Sequence, residues 1–256
     1  MAKMNGAQMV VKALEDSGVE TMFGIPGGTV IHLYDAIYDS KINHVLMRHE
    51  QAAAHAADGY ARACGKPGVC VATSGPGATN LVTGLATANM DSAPVVAITG
   101  QVATNVIGTD AFQEADIVGA TLPLIKHSMQ VRSPEQIPVA IKKAFFIAST
   151  GRPGAVLVDV PANVQKAFGE YVYPEKVELP GYHPKNIIDI SRLDEAAKML
   201  ETAERPVIFA GGGVICSGAA EKLIKFAEKL EIPVTTTLLG KGSFPESHES
   251  GLSLGM

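Results

Sequence analysis

Two hydrophobic patterns alternate along the first two thirds of the chain. Short runs rich in β-branched residues end in glycine or serine, and longer stretches carry apolar residues at a 3.6-residue spacing. The predicted strands are "ETMFG", "NHVLM", "GVCVATS", "APVVAITG" and "GAVLVDV". The predicted helices begin near Asn5, Thr29, His49, Thr79, Phe112 and Pro134. This alternation predicts the α/β class, with a parallel sheet flanked by helices.

The pattern changes after "DVPANVQ". The following segment, "FGEYVYPEKVELPGYHPKNIID", contains three prolines and follows neither period, which is typical of an interdomain linker. A second α/β unit then begins with a helix capped by Ser191, followed by a strand "RPVIFA", a loop "GGGVICSG", another helix and a strand "IPVTTTLL". We therefore predict a first domain at 1–168, a linker at 169–188 and the first part of a second α/β domain, expected to be cut short, at 189–256.

Composition excludes several classes of protein. A hydrophobic fraction of 46% with 18% charged residues is typical of a globular chain with a sizeable core. The net charge of -5 gives no electrostatic reason to bind nucleic acid or an anionic membrane. The three cysteines, Cys64, Cys70 and Cys216, form no CxxC pair, which favours a reducing cytoplasm over a disulfide framework. No signal-peptide core or 18-residue apolar run is present, so we expect no membrane anchor.

Two glycine-rich junctions follow predicted strands, "GIPGG" at 24–28 and "SGPGATN" at 74–80. Such junctions lie at the carboxyl edge of a parallel sheet, where open α/β folds bind ligands. Their spacing matches neither a P-loop nor GxGxxG. Backbone amides that approach an anion and a tight turn that needs positive φ explain "SGPGATN" equally well.

Glu50 is an isolated acid at the start of the predicted helix "RHEQAAAHAADGYARACG". An acid in this position most often stabilises the helix dipole. The alternative is an acid at the sheet edge that shares a proton with a bound cofactor. His49 and His55 are six residues apart, which is not the i, i+4 spacing of a helical metal site, and no metal ligands are predicted.

Four segments share the order and spacing of a known family: "FGIPGG", "RHEQAAAHAADGYARACGKPGVCVATSGPGATN", "DSAPVVAITGQV" and "IGTDAFQE". They resemble the N-terminal, pyrimidine-binding domain of acetolactate synthase (acetohydroxyacid synthase) large subunits, which are thiamine-diphosphate enzymes. "GRPGAVLVDVP", "VIFAGGGVICSGA" and "TTLLGKGSFPE" continue the resemblance into the FAD-bearing central domain of that family. The resemblance covers almost the whole chain.

The resemblance implies specific roles for individual residues. Glu50 matches the glutamate that hydrogen-bonds N1′ of the aminopyrimidine and favours the imino tautomer, which then removes the proton from C2 of the thiazolium ring. Gln113 matches a catalytic side chain that binds a reacting carbonyl or the cofactor-bound intermediate, and Phe112 lines the substrate pocket. The other matched cofactor-binding positions are Pro26, Gly27, Gly28, Thr73, Pro76 and Asn80 for thiamine diphosphate, and Arg152, Gly211, Gly212, Gly213, Thr237, Leu238 and Leu239 for FAD.

The resemblance also implies the reaction and the partners. Pyruvate is decarboxylated and its two-carbon fragment is joined to a second 2-keto acid, pyruvate or 2-oxobutanoate, in branched-chain amino-acid biosynthesis. FAD has no net redox role. The family holds Mg²⁺ through a GDG motif on a C-terminal domain, and since this chain has no GDG, we expect a complete site to need that domain, with a separately encoded chain as one source. A homodimer or tetramer and a regulatory small subunit are further expectations.

Four positions depart from the family pattern. Ile25 replaces a usual aromatic residue, Ala103 replaces a common proline, and Ala162-Asn163 replaces a typical Lys-Asp pair. The last change removes a cation near the substrate channel and puts the keto-acid preference in doubt. Two alternatives therefore stay open: another thiamine-diphosphate 2-keto-acid decarboxylase or acyltransferase, and a noncatalytic fragment.

Overall fold

The computed structural model describes residues 3–184 and 189–256, so the last part of the predicted linker, 185–188, lies outside the described residues. The described residues divide into two compact units, 3–184 and 189–256. The strands of the first unit are β1 (Lys3–Asn5), β2 (Thr21–Gly24), β3 (Asn43–Leu46), β4 (Gly68–Ala72), β5 (Val95–Gln101), β6 (His127–Gln130), β7 (Ala155–Pro161) and β8 (Phe168–Glu170). Its α-helices are α1 (Gly6–Asp16), α2 (Ile31–Tyr38), α3 (Glu50–Cys64), α4 (Pro76–Asn80), α5 (Val82–Met90), α6 (Ile117–Thr121), α7 (Gln136–Ser149) and α8 (Ala162–Lys166).

A six-stranded sheet forms the centre of the first unit. Its strand order is β3-β2-β4-β5-β7-β6, and every pairing is parallel. The α/β class and all five predicted strands of this unit are confirmed. β6 was not predicted, because its residues "HSMQ" form an edge strand without an apolar run.

The core lies on both faces of this sheet. Every residue of β4, β5 and β7 is buried, as expected for strands covered on both sides. Helices α1, α2 and α7 contribute to the cluster on one face, and α3, α5 and α6 contribute to the cluster on the other. Small residues allow α3 to pack closely: a Cβ added to Gly84 of α5 would lie 2.4 Å from Ala54 Cβ.

Local signals fix the starts of several helices. Asn5 caps α1 through a reciprocal capping box with Gln8, and His49 Nδ1 caps α3 by accepting from the amide of Gln51 at 3.1 Å. The prediction of a single helix from Thr79 is wrong in detail, because α4 begins at Pro76 and α5 follows from Val82. No helix begins at Phe112: the nearest, α6, begins at Ile117 behind the cap residue Asp116.

Residues 168–184 lie against the first unit. β8 pairs with β1 in an antiparallel ribbon that crosses the predicted boundary at residue 168. Beyond it, Lys126 donates to the carbonyl of Thr150 at 2.8 Å and to the Tyr182 hydroxyl at 3.2 Å. Lys142 donates to the Glu175 carbonyl at 3.0 Å. These contacts fasten the proline-containing segment 171–184, termed the strap below, to Lys142 of α7 and to Lys126, which precedes β6.

The second unit contains a short parallel sheet formed by β9 (Ile208–Ala210) and β10 (Val234–Thr236). Its helices are α9 (Ser191–Thr202), α10 (Gly212–Cys216) and α11 (Ala220–Leu230). The predicted cap is wrong, because the Ser191 hydroxyl donates to Asp189 Oδ1 and Ile190 is the residue that precedes the helix. The predicted loop "GGGVICSG" instead contains α10. Among the described residues, no helix has the length and apolar character needed to span a bilayer.

Candidate functional site

The strand order creates a crevice at the carboxyl edge of the sheet. After β2 the chain passes to β3 on one side, and it then returns to β4 on the other side of β2. Open α/β sheets bind ligands at such a reversal of strand order. The loops that border this crevice are 25–30, which follows β2, and 73–75, which follows β4. They carry the two glycine-rich junctions of the sequence.

The two loops are joined by a compact set of hydrogen bonds. The Thr29 and Thr73 hydroxyl oxygens are 3.0 Å apart, and the Ser74 amide donates to the Thr29 hydroxyl at 3.0 Å. A Cβ added to Gly27 would lie 2.5 Å from Thr73 Cβ, so a side chain cannot be accommodated without movement of a loop. An added Cβ at Gly28 would meet nothing within 4 Å. The close approach of the loops therefore requires glycine at position 27 but not at position 28.

Glu50 lies at the same edge, as the first residue of α3 after β3. Its carboxylate is half-buried, and its Oε2 accepts from Asn80 Nδ2 at 2.9 Å. Across the described residues, no hydrogen bond to its Oε1 is formed. A Cβ added to Gly77 would lie 3.2 Å from this oxygen, so glycine leaves the space beside it open. The carboxylate can therefore accept a hydrogen bond from a polar ligand group in the crevice.

Gln113 and Phe112 lie in the long loop 102–116, termed the β5–α6 loop. Gln113 has a φ of 56° and Gly75 has a φ of 52°, both in the left-handed region. A Cβ added to Gly75 would lie 2.5 Å from the Gln113 carbonyl oxygen, so the β5–α6 loop packs directly on the turn after β4. Phe112 is 88% exposed. The backbone of Gln113 therefore packs on the glycine-rich junction 74–80, which includes Asn80.

Three polar side chains anchor the β5–α6 loop, and none of them was predicted as a site residue. Asn163 accepts from the Thr104 amide at 2.9 Å and donates to the Thr104 hydroxyl at 2.8 Å. Glu114 accepts from the amides of Gly108 and Ala111, and these hydrogen bonds lower the pKa of its carboxyl. Gln101, at the end of β5, donates to the carbonyl of Ala115 at 2.9 Å.

A buried acid lies beneath this loop. Asp159 of β7 is fully buried, and its carboxylate accepts from Thr99 Oγ1 at 2.7 Å, from Gln130 Nε2 at 2.8 Å and from Gln101 Nε2 at 3.3 Å. Burial raises the pKa of Asp159 to about 6, although these hydrogen bonds favour the charged form. One sequence signal points to this residue: it is an acid within the apolar run "GAVLVDV".

The predicted site residues do not all lie together. Thr73, Pro76, Asn80 and the run Pro26 to Gly28 border the crevice with Glu50. Arg152 lies elsewhere: it donates to the carbonyl of Met90 at 2.6 Å and to the Ser92 hydroxyl at 2.8 Å. Because these residues precede β7 and β5, Arg152 is at the amino edge of the sheet, opposite Glu50.

The remaining predicted positions belong to the second unit. Gly211 follows β9, and Thr237 follows β10, so both lie at the carboxyl edge of the two-stranded sheet. The Thr237 amide donates to the Ala210 carbonyl at 2.9 Å, and a Cβ added to Gly212 would lie 3.1 Å from Leu239 Cβ. Leu238 is 71% exposed. Gly211 to Gly213 and Thr237 to Leu239 therefore form one neighbouring pair of turns.

Comparisons with known proteins agree with this geometry. A family model described as "Thiamine pyrophosphate enzyme, N-terminal TPP binding domain" matches residues 4–120, and a model of the thiamine pyrophosphate enzyme central domain matches residues 193–256. The chain is 57% identical to a "Probable acetolactate synthase large subunit" of Methanocaldococcus jannaschii. It is 54% identical to the acetolactate synthase large subunit of Corynebacterium glutamicum.

These alignments include 99% of this chain but only 43% and 40% of the two relatives. The chain therefore spans less than half the length of the curated relatives it matches. The N-terminal model contains the crevice, Glu50, Asn80 and the β5–α6 loop, and the central model contains the two turns of the second unit. The chain thus belongs to the thiamine pyrophosphate enzyme family, and it carries the N-terminal TPP-binding domain together with central-domain sequence of that family.

Proposed function

We propose that this chain supplies the aminopyrimidine-binding part of the active site of an acetolactate synthase catalytic subunit. The substrates are pyruvate and a second 2-keto acid, pyruvate or 2-oxobutanoate, and the reaction belongs to branched-chain amino-acid biosynthesis. The observation that carries the proposal is the half-buried Glu50 carboxylate, oriented by Asn80 and open at Oε1, in the crevice where the strand order reverses. The relatives named above support the reaction class.

The residues present fit an aminopyrimidine. Glu50 offers an acceptor oxygen for a protonated ring nitrogen, and Asn80 donates to the other oxygen, which limits rotation of the carboxylate. Gly77 leaves room beside Oε1, and Gly27 allows the loop after β2 to approach Thr73 closely. When bound, thiamine diphosphate would supply the acidic carbon and, in its imino tautomer, the nitrogen that takes up the proton of that carbon, so the chain needs no side-chain base there.

In this proposal Glu50 is the catalytic acid that shares a proton with the cofactor ring, and the partial burial of Glu50 strengthens that hydrogen bond. Gln113 is catalytic at the reacting carbonyl, and the exposed ring of Phe112 lines the substrate pocket. Pro26, Gly28, Thr73 and Pro76 contribute the surrounding surface.

The second unit fits a role in FAD binding. Gly211 to Gly213 expose backbone beside the turn Thr237 to Leu239, and Leu238 offers an apolar surface for a planar ring. An FAD contact at Arg152, which lies in the first unit, stays a prediction from the resemblance alone. The domain bounds of this proposal are residues 1–168 and 189–256 with the connecting segment 169–188, of which residues 169–184 pack on the first unit. Following the family pattern, Mg²⁺ is bound through a diphosphate-binding domain that acts together with this chain, in a homodimer or tetramer with a regulatory small subunit.

Substitution of Glu50 by Gln tests the proposal. In the complete catalytic assembly that contains this chain, supplied with thiamine diphosphate, Mg²⁺ and FAD, we expect Glu50→Gln to lower acetolactate formation from pyruvate by about a hundredfold or more, the typical range for loss of acid–base catalysis. The matched control is Glu170→Gln, which alters an exposed acid of β8. A wild-type rate for Glu50→Gln, with an unchanged far-UV circular dichroism spectrum, would refute the assignment.

A related 2-keto-acid decarboxylase or acyltransferase is the second candidate, and one observation favours it. Ala162 begins α8 where the resembled family has a lysine, so this position supplies no cation beside Asn163 and the β5–α6 loop. Product analysis distinguishes the candidates. Acetolactate as the main product from pyruvate supports the synthase, an aldehyde supports a decarboxylase, and no pyruvate consumption by a folded assembly supports a noncatalytic chain.

A further inference from the structure

The buried acid Asp159 has no place in the proposed chemistry, yet it is connected to the segment that carries Gln113. The connection runs through one side chain. Gln101 Nε2 donates both to Asp159 Oδ2 at 3.3 Å and to the carbonyl of Ala115 at 2.9 Å. Ala115 is two residues from Gln113 and immediately precedes Asp116, which caps α6. A fully buried carboxylate therefore lies two hydrogen bonds away from the backbone of the β5–α6 loop.

The orientation of the Gln101 amide is fixed by its partners. Its Oε1 accepts from the Val102 amide at 2.9 Å, while its Nε2 faces two acceptors. Rotating the amide by half a turn would set the oxygen against the Ala115 carbonyl and the amino group against the Val102 amide. Two oxygens would then face each other in one contact, and two N–H donors in the other. Because Gln101 is only 3% exposed, water cannot replace the lost hydrogen bonds.

Asp159 is in turn held from two other strands. Thr99 of β5 donates to its Oδ1, and Gln130 of β6 donates to its Oδ2. The carboxylate thus joins three neighbouring strands at one level of the sheet and presents a fixed acceptor to Gln101. A rigid sheet interior is a more precise support than the loop itself, because buried polar networks with satisfied partners limit movement.

The loop needs such support. Gln113 adopts a left-handed φ of 56°, which costs free energy for a residue with a side chain, and the surrounding structure must hold it there. Its carbonyl oxygen packs against Gly75, where an added Cβ would lie only 2.5 Å away. A shift of this backbone would therefore also disturb the turn that leads to Asn80.

We propose that Asp159 and Gln101 are positioning residues that set the backbone of residues 111–115 and thereby orient Phe112 and Gln113 at the substrate pocket. Neither residue contacts the reacting atoms. The inference rests on the proposed function, in which Gln113 acts on the substrate. It adds that the precision of this contact originates in the interior of the sheet rather than in the exposed loop.

Amide hydrogen exchange of the chain tests the structural part without any cofactor. The amides of Glu114 and Ile117 report on the loop, because they donate to the carbonyls of Ala111 and Ala115. In Gln101→Met, which keeps side-chain length and removes the donor, we expect these amides to exchange about tenfold faster, as for the loss of one buried hydrogen bond. Gln130→Met is the matched control: it also removes a donor to Asp159 but leaves the link to the loop intact.

Substitutions at Asp159 provide an independent arm. Asp159→Ala removes the acceptor and is expected to accelerate exchange of the same amides, whereas Asp159→Asn retains one oxygen for Gln101 and is expected to restore slow exchange. Should Asp159→Ala fail to fold, Gln101→Met still decides the matter. Unchanged exchange of both reporter amides in a folded Gln101→Met variant would overturn the proposal, as would equal acceleration in Gln130→Met.

Kinetics of the complete catalytic assembly test the functional part. We expect Gln101→Met to lower kcat/KM for pyruvate about tenfold while the affinity for thiamine diphosphate, which depends on Glu50, stays unchanged. Faster loop exchange with wild-type kcat/KM would overturn the positioning role. If the wild-type assembly forms no acetolactate, the proposed function fails separately, and the exchange result still decides whether Gln101 holds the loop.

Discussion

Asp159→Asn is the perturbation whose effect on stability can be worked out most directly from the structure. Burial raises the pKa of Asp159 from 3.8 to about 6 in the folded chain. A carboxyl with a raised folded-state pKa stabilises the fold while it is protonated. That stabilisation is fully present below the unfolded pKa and is lost as the pH rises through the folded pKa. The variant has no titrating group at this position and therefore lacks this pH dependence.

The magnitude follows from the size of the shift. A change from 3.8 to about 6 is roughly 2 pKa units, and each unit corresponds to about 1.4 kcal/mol, so the wild type loses about 3 kcal/mol between pH ~4 and pH ~7 from this group. The substitution also leaves donor hydrogens near Thr99 without acceptors, which adds a cost that does not vary with pH. The free energy of unfolding of the variant, relative to wild type, should therefore rise by about 3 kcal/mol over this range, whatever its value at pH ~4.

Urea unfolding at a series of pH values measures this difference. Far-UV circular dichroism is the suitable signal because the chain contains no tryptophan. Asp35→Asn, which changes an exposed acid of α2, is the matched control and should give a difference that stays within about 0.5 kcal/mol across the range. A difference between Asp159→Asn and wild type that is equally flat would show that Asp159 titrates normally, and the reasoning from burial would be wrong.

Three further predictions concern the scaffold. Gly27→Ala should lower the free energy of unfolding by about 1–3 kcal/mol because the added Cβ meets Thr73. Gly28→Ala, the control, should change it by no more than about 0.5 kcal/mol. Equal urea midpoints for the two variants would contradict the close approach of the loops. Asn5→Ala should cost about 1 kcal/mol through loss of the α1 capping box, and an unchanged Tm would show that the box adds nothing. Lys126→Met should release the strap from the first unit, and faster proteolysis within 171–184 would detect the release. Cleavage at the wild-type rate would show that Lys126 does not anchor the strap.

Patterns of a few residues were sufficient for the main elements. The central strands are buried on both faces and therefore appear as continuous apolar runs, and the glycine-rich junctions mark where those runs end. The position of Glu50 at the start of α3 also followed from its local sequence. The edge strand β6 could not be found in this way, because "HSMQ" becomes a strand through its pairing with β7. The prediction of a helix from Phe112 was wrong. The Glu114 carboxylate accepts hydrogen bonds from the amides of Gly108 and Ala111 and stabilises a loop there instead.

The sequence by itself determined the α/β class, the junctions that border the crevice and the identity of the acid at position 50, because each depends on residues adjacent in the chain. Tertiary structure alone decided which groups meet. Asn80 reaches Glu50 across 30 positions, and Gln101 joins Asp159 to the carbonyl of Ala115 across neighbouring strands. Such pairs cannot be predicted from a single sequence because a hydrogen bond depends on the separation of two atoms in space. Strand order, rather than position along the chain, brings these partners within about 3 Å of each other.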